Sequence, residues 1–265
     1  MTYRLGKLPA KSSLKALLFS DYLKAEVKLP EATNFWTKRK PFPLRTFGNT
    51  EIGDCTRASQ AHAAMRMERV ECSRTPSITD QEVERVYFDM TARLYGGGDT
   101  GAYETDALSE WRKPDLTFRD THGRPLTIDA FTKVNVNQKE IMTAIYTTGA
   151  HGIKICFNLP LAFEAQTSAG KWDIPDGQRM TDEWLPNSWG GHSTYAQDYT
   201  KDGIILETNW GIKPILVTWR AVLAYADESF WIMDSLDAWR KKPAAKNIDL
   251  NKLKADVNAV SSQKI

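Results

Sequence analysis

The chain has 265 residues, 42% hydrophobic and 26% charged. That is enough to bury a real core as one large domain or two closely packed lobes, and it excludes a disordered or collagen-like chain. No apolar run approaches the roughly 18 residues that a membrane span needs, and the opening MTYRLGKLPAKSS lacks the apolar stretch and cleavage site of a secretory signal. The three cysteines, Cys55, Cys72 and Cys156, form no CxxC pair. They are too few for a disulfide scaffold or a cysteine-built zinc site, and they point to a reducing, cytoplasmic setting.

Charge is uneven. Residues 1–28 carry net +4 and residues 240–265 net +5, so the body, residues 29–239, is acidic at net −7 beneath an overall +2. The two basic arms read as solvated tails or as docking segments for acidic protein surfaces. Nucleic acid is not expected as a partner, nor is a membrane. Their shortage of apolar residues suggests that the arms add little to the core.

In chain order, Leu14–Leu23 reads as a short amphipathic helix. Pro30, Pro41 and Pro43 keep Leu29–Thr46 extended. The turn GNTEIGDC leads into Thr56–Glu71, a Gly- and Pro-free run rich in Ala, Met, Arg and Glu that predicts a helix. Thr79 with Glu82 has the spacing of a capping box and opens a second helix to about Leu94, ended by Gly96-Gly97-Gly98. Thr105–Trp111 suggests a third. From Leu126 the texture changes to β-branched runs at Val134, Ile153–Phe157, Ile204–Leu206 and Ile215–Thr218, with one helix over Gln138–Thr148. Helices first and strands later predict an α+β fold, with a helical lobe over about 50–125 and a β lobe over about 126–235.

Cys55 lies where a Gly-rich turn meets a helix start, a place whose dipole and free N–H groups favour a thiolate and an oxyanion. Cys72 and Cys156 read as inert buried thiols. Among the histidines, His62 shares the Cys55 helix but lies two turns along it, about 10 Å away. His122 lies in a polar turn, and His151 follows Gly149-Ala150 before a strand. His192 follows Gly190-Gly191 and opens a strand, and glycines beside it let backbone and substrate come close. Cys55 and His192 are a nucleophile and a base that can meet only in space. Trp189, Tyr195 and Trp210 are candidate cleft walls. No P-loop, GxGxxG or HExxH occurs, so neither cofactor nor metal is expected.

These residues carry a resemblance. Gly-Asp-Cys-Thr at 53–56, Gly-Gly-His at 190–192 and Asn209-Trp210-Gly211 after the next strand resemble the papain-like cysteine peptidase superfamily. The pattern Gly48-Asn49 to Cys55, Asp106-Ala107-Leu108 to Trp111, Gly190 to His192, Trp210-Gly211, Thr218-Trp219 and Asp227-Glu228 is similar to uncharacterised bacterial and phage-encoded members. The resemblance implies a two-lobed papain-like fold with a central Cys-bearing helix. It implies a thiol hydrolase of peptides or amides, in which Cys55 attacks a carbonyl, His192 moves the proton, and Asn49 joins the Cys55 N–H in the oxyanion hole. Asn49 stands where the superfamily has Gln. Anchoring on Trp210-Gly211 puts Thr208 in the slot of the third catalytic residue and Asn209 one place beyond it, so either Asn209 or Thr208 orients His192. The Asn187-Ser188-Trp189-Gly190 run precedes His192 and is not that motif. Asp54 is expected to stabilise the helix N-terminus. The N-terminal arm is short for the inhibitory segment of such peptidases, though long enough to lie in the cleft. The rival expectation is a catalytically weak scaffold, such as a virion or assembly component docking virion proteins through its basic arms.

Overall fold

The computed structural model describes residues 3–11, 17–35, 44–72, 76–149, 151–235 and 246–262. The side chain of Cys72, the start of the expected Leu14–Leu23 helix and much of the Pro-rich stretch at 29–46 lie outside them. Of that helix, the described part holds a 3-10 turn, Phe19–Tyr22.

Helix α1, Cys55–Cys72, is the central element. Every residue from Cys55 to Met67 is buried, which explains why its sequence shows no polar stripe. Helix α2, Asp80–Tyr95, starts at the expected cap, with Thr79 Oγ1 accepting from the Glu82 N–H at 3.1 Å, while the Glu82 carboxylate accepts from Arg85 and the Arg119 N–H; the helix ends on Gly96 at φ 85°. Helix α3 is Glu104–Trp111. These three helices and their shared core of Phe47, Met65, Val83, Leu108 and Trp111 form one lobe.

The second lobe is built on a sheet of β1 (Ala130–Val134), β2 (Ile153–Leu159), β3 (Lys171–Trp172), β4 (Gly190–Tyr199), β5 (Gly203–Glu207), β6 (Ile215–Thr218) and β7 (Ala226–Met233), in the order β1-β7-β2-β4-β5-β6-β3. All pairings are antiparallel except β3 with β6. Along β4 the alternation of side chains turns Ser193 and Tyr195 toward α1 and sends Ala196 into the opposite core. That opposite core takes Ile141, Ala144 and Ile145 from α4 (Gln138–Thr148), Phe163 from α5 (Ala162–Thr167), and Trp219 and Val222 from α6 (Trp219–Tyr225). A sheet covered on both faces buries its central strands almost throughout, as in β2, where six of seven residues are buried, Lys154 among them. The fold is α+β, with a helical lobe and a largely antiparallel β lobe.

The basic arms depart from expectation. Phe19, Tyr22, Ile248, Leu250, Leu253 and Val257 all join the core of the β lobe, the last three from helix α7, Leu250–Ser262. Tyr22 donates to Asp256 at 2.9 Å, tying one arm to the other. Lys252 on α7 faces solvent while Leu253 and Val257 are buried, and in the N-terminal arm Lys7 is itself buried. No helix among the described residues is long and apolar enough to cross a membrane.

Candidate active site

The N-terminus of α1 meets the start of β4. Cys55 is the first residue of the helix, and its Sγ accepts the Ser193 N–H at 3.4 Å. His192 precedes that serine. Its ring is buried and stacked on Trp210, with centroids 4.2 Å apart and planes 12° off parallel. Nε2 lies 2.8 Å from the Thr208 main-chain oxygen. A carbonyl can only accept, so Nε2 carries the proton and Nδ1 is the basic nitrogen. Nδ1 is buried and has no hydrogen-bond partner.

The third member differs from the side-chain expectation. Asn209, at φ 65°, turns its amide away from His192. Its Oδ1 accepts from His62 Nδ1 at 3.0 Å, and its Nδ2 donates to the Ser193 carbonyl at 2.8 Å and the Cys55 carbonyl at 3.4 Å. His62 Nε2 accepts from the Arg45 N–H at 3.3 Å, which fixes this tautomer. Asn209 therefore staples α1 to β4, and Thr208 reaches His192 through its backbone. Thr208 Oγ1 is buried without a partner.

Asn49 is fully buried, and Nδ2 donates to the Ile52 carbonyl at 3.2 Å. One amide hydrogen is spent there, and the amide also lies against the Asp54 carboxyl. The Asp54 carboxyl does not cap the helix. Burial pushes its pKa well above the carboxylate range, against the pull of the Asn49 side chain. The capping acceptor is its main-chain carbonyl, 2.8 Å from the Arg57 nitrogen. Tyr195 is no cleft wall: it packs beneath α1, its hydroxyl on the His151 carbonyl. Trp189 and Trp210 do face each other, 5.5 Å apart.

Between the lobes, over Cys55, lies the chain's own segment 3–8. Tyr3 packs against Trp210 at 4.7 Å and Trp189 at 6.1 Å. The N–H groups of Gly6 and Lys7 donate to the Gly191 carbonyl at 3.2 and 3.0 Å. On the helical side Ala102 N–H donates to Gly6 at 2.7 Å, and Leu8 N–H to Ala102 at 2.9 Å. This close approach needs glycine on both partners. A Cβ on Gly6 would lie 1.8 Å from the Gly53 oxygen, one on Gly101 2.3 Å from the Gly6 oxygen, and one on Gly191 2.0 Å from the Lys7 oxygen. The glycine pair before His192 thus admits a backbone, as expected, and that backbone is the protein's own.

Covered in this way, Cys55 and His192 are both neutral. Burial pushes the Cys55 thiol up to about 12, against the pull of the Ser193 and Gly6 N–H groups. Burial holds the His192 imidazole down to about 3, against the Thr208 hydrogen bond. The thiolate expected at this helix start is absent while the segment is in place.

Behind the pair lies a buried polar cluster that the sequence did not disclose. Lys154 on β2 donates to Ser193 Oγ at 2.8 Å and to Ser59 Oγ of α1, and lies 3.3 Å from Glu104 on α3. Ser193 Oγ donates to Glu104 at 2.6 Å. Cys156 donates to the same carboxylate at 3.5 Å, and burial raises its thiol far above the ordinary value. The alternation of Lys154 with Ile153 and Ile155 was the available signal: in a strand buried on both faces it demands a partner. Among the described residues no group of three or more His, Cys, Asp or Glu is placed to hold a metal.

Neither a protein-family model nor a curated protein matches the chain. Solved structures do. Xylellain, a cysteine protease from Xylella fastidiosa, is similar with a TM-score of 0.66 at 14% identity, over 88% of this chain and 97% of that one. A cysteine protease of Carica candamarcensis, solved with E-64, gives 0.54 at 16% identity over 78% and 100%. The ragweed pollen cysteine protease Amb a 11, in its proform, gives 0.54 at 12% over 80% and 69%. At these identities the likeness defines the fold: the chain has the papain-like architecture.

Proposed function

We propose that this protein is a papain-like thiol hydrolase of peptide or amide bonds, held latent by its segment 3–8. The observation that carries the reading is the free Nδ1 of His192 beside the Cys55–Ser193 contact, its other nitrogen anchored on Thr208. Once the segment leaves, water and substrate reach the pair. Nδ1 takes the Cys55 proton, the sulfur attacks the carbonyl carbon, and the developing oxyanion meets the Cys55 N–H and the Asn49 amide. The proton then passes to the leaving amine, and water attacks the thioester with His192 as base.

The test is hydrolysis of a mixed fluorogenic peptide library by Gly6→Val, whose side chain cannot coexist with the Gly53 oxygen. Turnover that vanishes on adding Cys55→Ala supports the reading. A second reading is a scaffold without turnover, in a virion or another assembly, and the spent Asn49 hydrogen favours it. An opened chain whose Cys55 alkylates readily but cleaves nothing would support that alternative.

A further inference from the structure

The hydrolase reading leaves the choice of substrate open, and Lys7 bears on it. Its side chain is fully buried, although lysine is rarely so. Nζ donates to Asp227 Oδ2 and lies 3.2 Å from Glu228 Oε2. Both carboxylates stand at the start of β7, where Glu228 faces Cys156 across the sheet. The pocket thus holds two acidic groups against one ammonium, and Asp227 Oδ1 has no hydrogen-bond partner. Burial alone would lower the Lys7 pKa, yet its acidic neighbours, Asp227 and Glu228 among them, hold it above the ordinary value.

The backbone that delivers this lysine lies in the cleft as an extended peptide. It pairs with Gly191 on one wall and runs parallel to Ala102 on the other. The residue next to Lys7 is Gly6, which sits against Gly53 just before Cys55 and donates its N–H to the carbonyl of Gly191, the residue before His192. Lys7 therefore occupies the side-chain pocket one residue from the reacting position.

Resting on the hydrolase reading, we propose that the pocket formed by Asp227 and Glu228 is the specificity pocket of the cleft, and that it selects a lysine or arginine side chain of the substrate. An apolar side chain there would leave two desolvated carboxylates unpaired. An arginine fork would also engage the spare Asp227 oxygen.

The test uses the full chain carrying Gly6→Val, which opens the cleft, with Lys7→Ala, which vacates the pocket, or with Lys7→Gln if that variant does not fold. Peptidyl chloromethyl ketones are compared that differ only in the residue adjacent to the one bearing the electrophile, with Cys55 labelling followed by intact mass. Lysine and arginine probes should label at least about tenfold faster than norleucine, and Asp227→Asn with Glu228→Gln should abolish the preference, since a lost charged hydrogen bond amounts to about a decade or more. Separately, n-butylamine but not n-butanol should raise the melting temperature of Lys7→Ala. Equal labelling by all probes, or a preference that survives loss of both carboxylates, overturns the pocket assignment alone. If butylamine binds but no probe labels Cys55, the hydrolase reading fails and the substrate assignment falls with it.

Discussion

His192 donates through Nε2 to the main-chain oxygen of Thr208 at 2.8 Å. A backbone acceptor cannot be removed by truncating its side chain. Thr208→Ala should therefore leave the imidazole in place, and should change stability by no more than about 0.5 kcal/mol, because the lost hydroxyl has no partner. Asn209→Ala breaks hydrogen bonds to His62, Cys55 and Ser193 and leaves a non-Gly residue at φ 65°. Its cost should be about 2–4 kcal/mol. Urea denaturation of the two variants checks the order, and a larger loss for Thr208→Ala would contradict it.

Cys55 should be slow to react in the intact chain. With its pKa pushed up to about 12, iodoacetamide at neutral pH finds neither access nor thiolate. Lys7→Glu places a third carboxylate beside Asp227 and Glu228 and should expel the segment, accelerating alkylation by more than about tenfold. Adding His192→Ala to that variant should slow labelling in mildly acidic buffer, where only a histidine-paired thiolate persists. Labelling rates read by intact mass decide this. Indifference to the histidine change would mean exposure alone explains the reactivity.

Stability should depend on pH from both sides. Burial lowers His192 to about 3 and His62 to about 4, from 6.5. Their contribution is complete above about 6.5 and is lost as pH falls toward those values, since the unfolded chain takes up protons first. Glu207 runs the other way. Burial raises it to about 8 from 4.5, so its contribution is complete below 4.5 and fades as pH rises through 8. Glu207→Gln should therefore raise the melting temperature relative to the parent near pH 9 and not near pH 5, whereas His192→Gln should flatten the acid limb. A parallel shift of either variant at all pH values would disprove the linkage.

Leu253→Ala tests whether the basic C-terminal region belongs to the folded unit. Leu253 is fully buried in the β-lobe core, so truncation should cost about 2–5 kcal/mol. A solvated tail would tolerate it with no measurable loss.

Local signals were legible wherever one element's chemistry is self-contained. The Thr79 cap, the Gly96 stop and the span Gln138–Thr148 were all legible in short windows of sequence. Strand β7 escaped notice because its start, Ala226-Asp227-Glu228, is acidic, and those charges make sense only against Lys7, about 220 residues away. Cys55 and His192 stood out by their glycine-flanked settings. Which group anchors His192 did not, because a main-chain carbonyl leaves no trace in residue type. The arms misled for a related reason: net charge says nothing of Phe19, Leu253 and Val257, which fill the core, nor of where each charge sits, Lys7 being buried.

The interlocked glycines at 6, 53, 101 and 191 carry a consequence for control. The backbone fit is joined by Tyr3 on Trp210 and Lys7 on its two carboxylates, and a separate peptide with those features could be gripped by the same contacts. What favours the chain's own segment is its tether, which fixes it at an effective concentration of the order of millimolar. A single cut in the chain between Leu8 and Phe19 would leave every cleft contact intact yet turn an intramolecular occupant into a dissociable ligand. Occupancy would then follow dilution, and a competing basic peptide that was excluded at micromolar levels would gain entry.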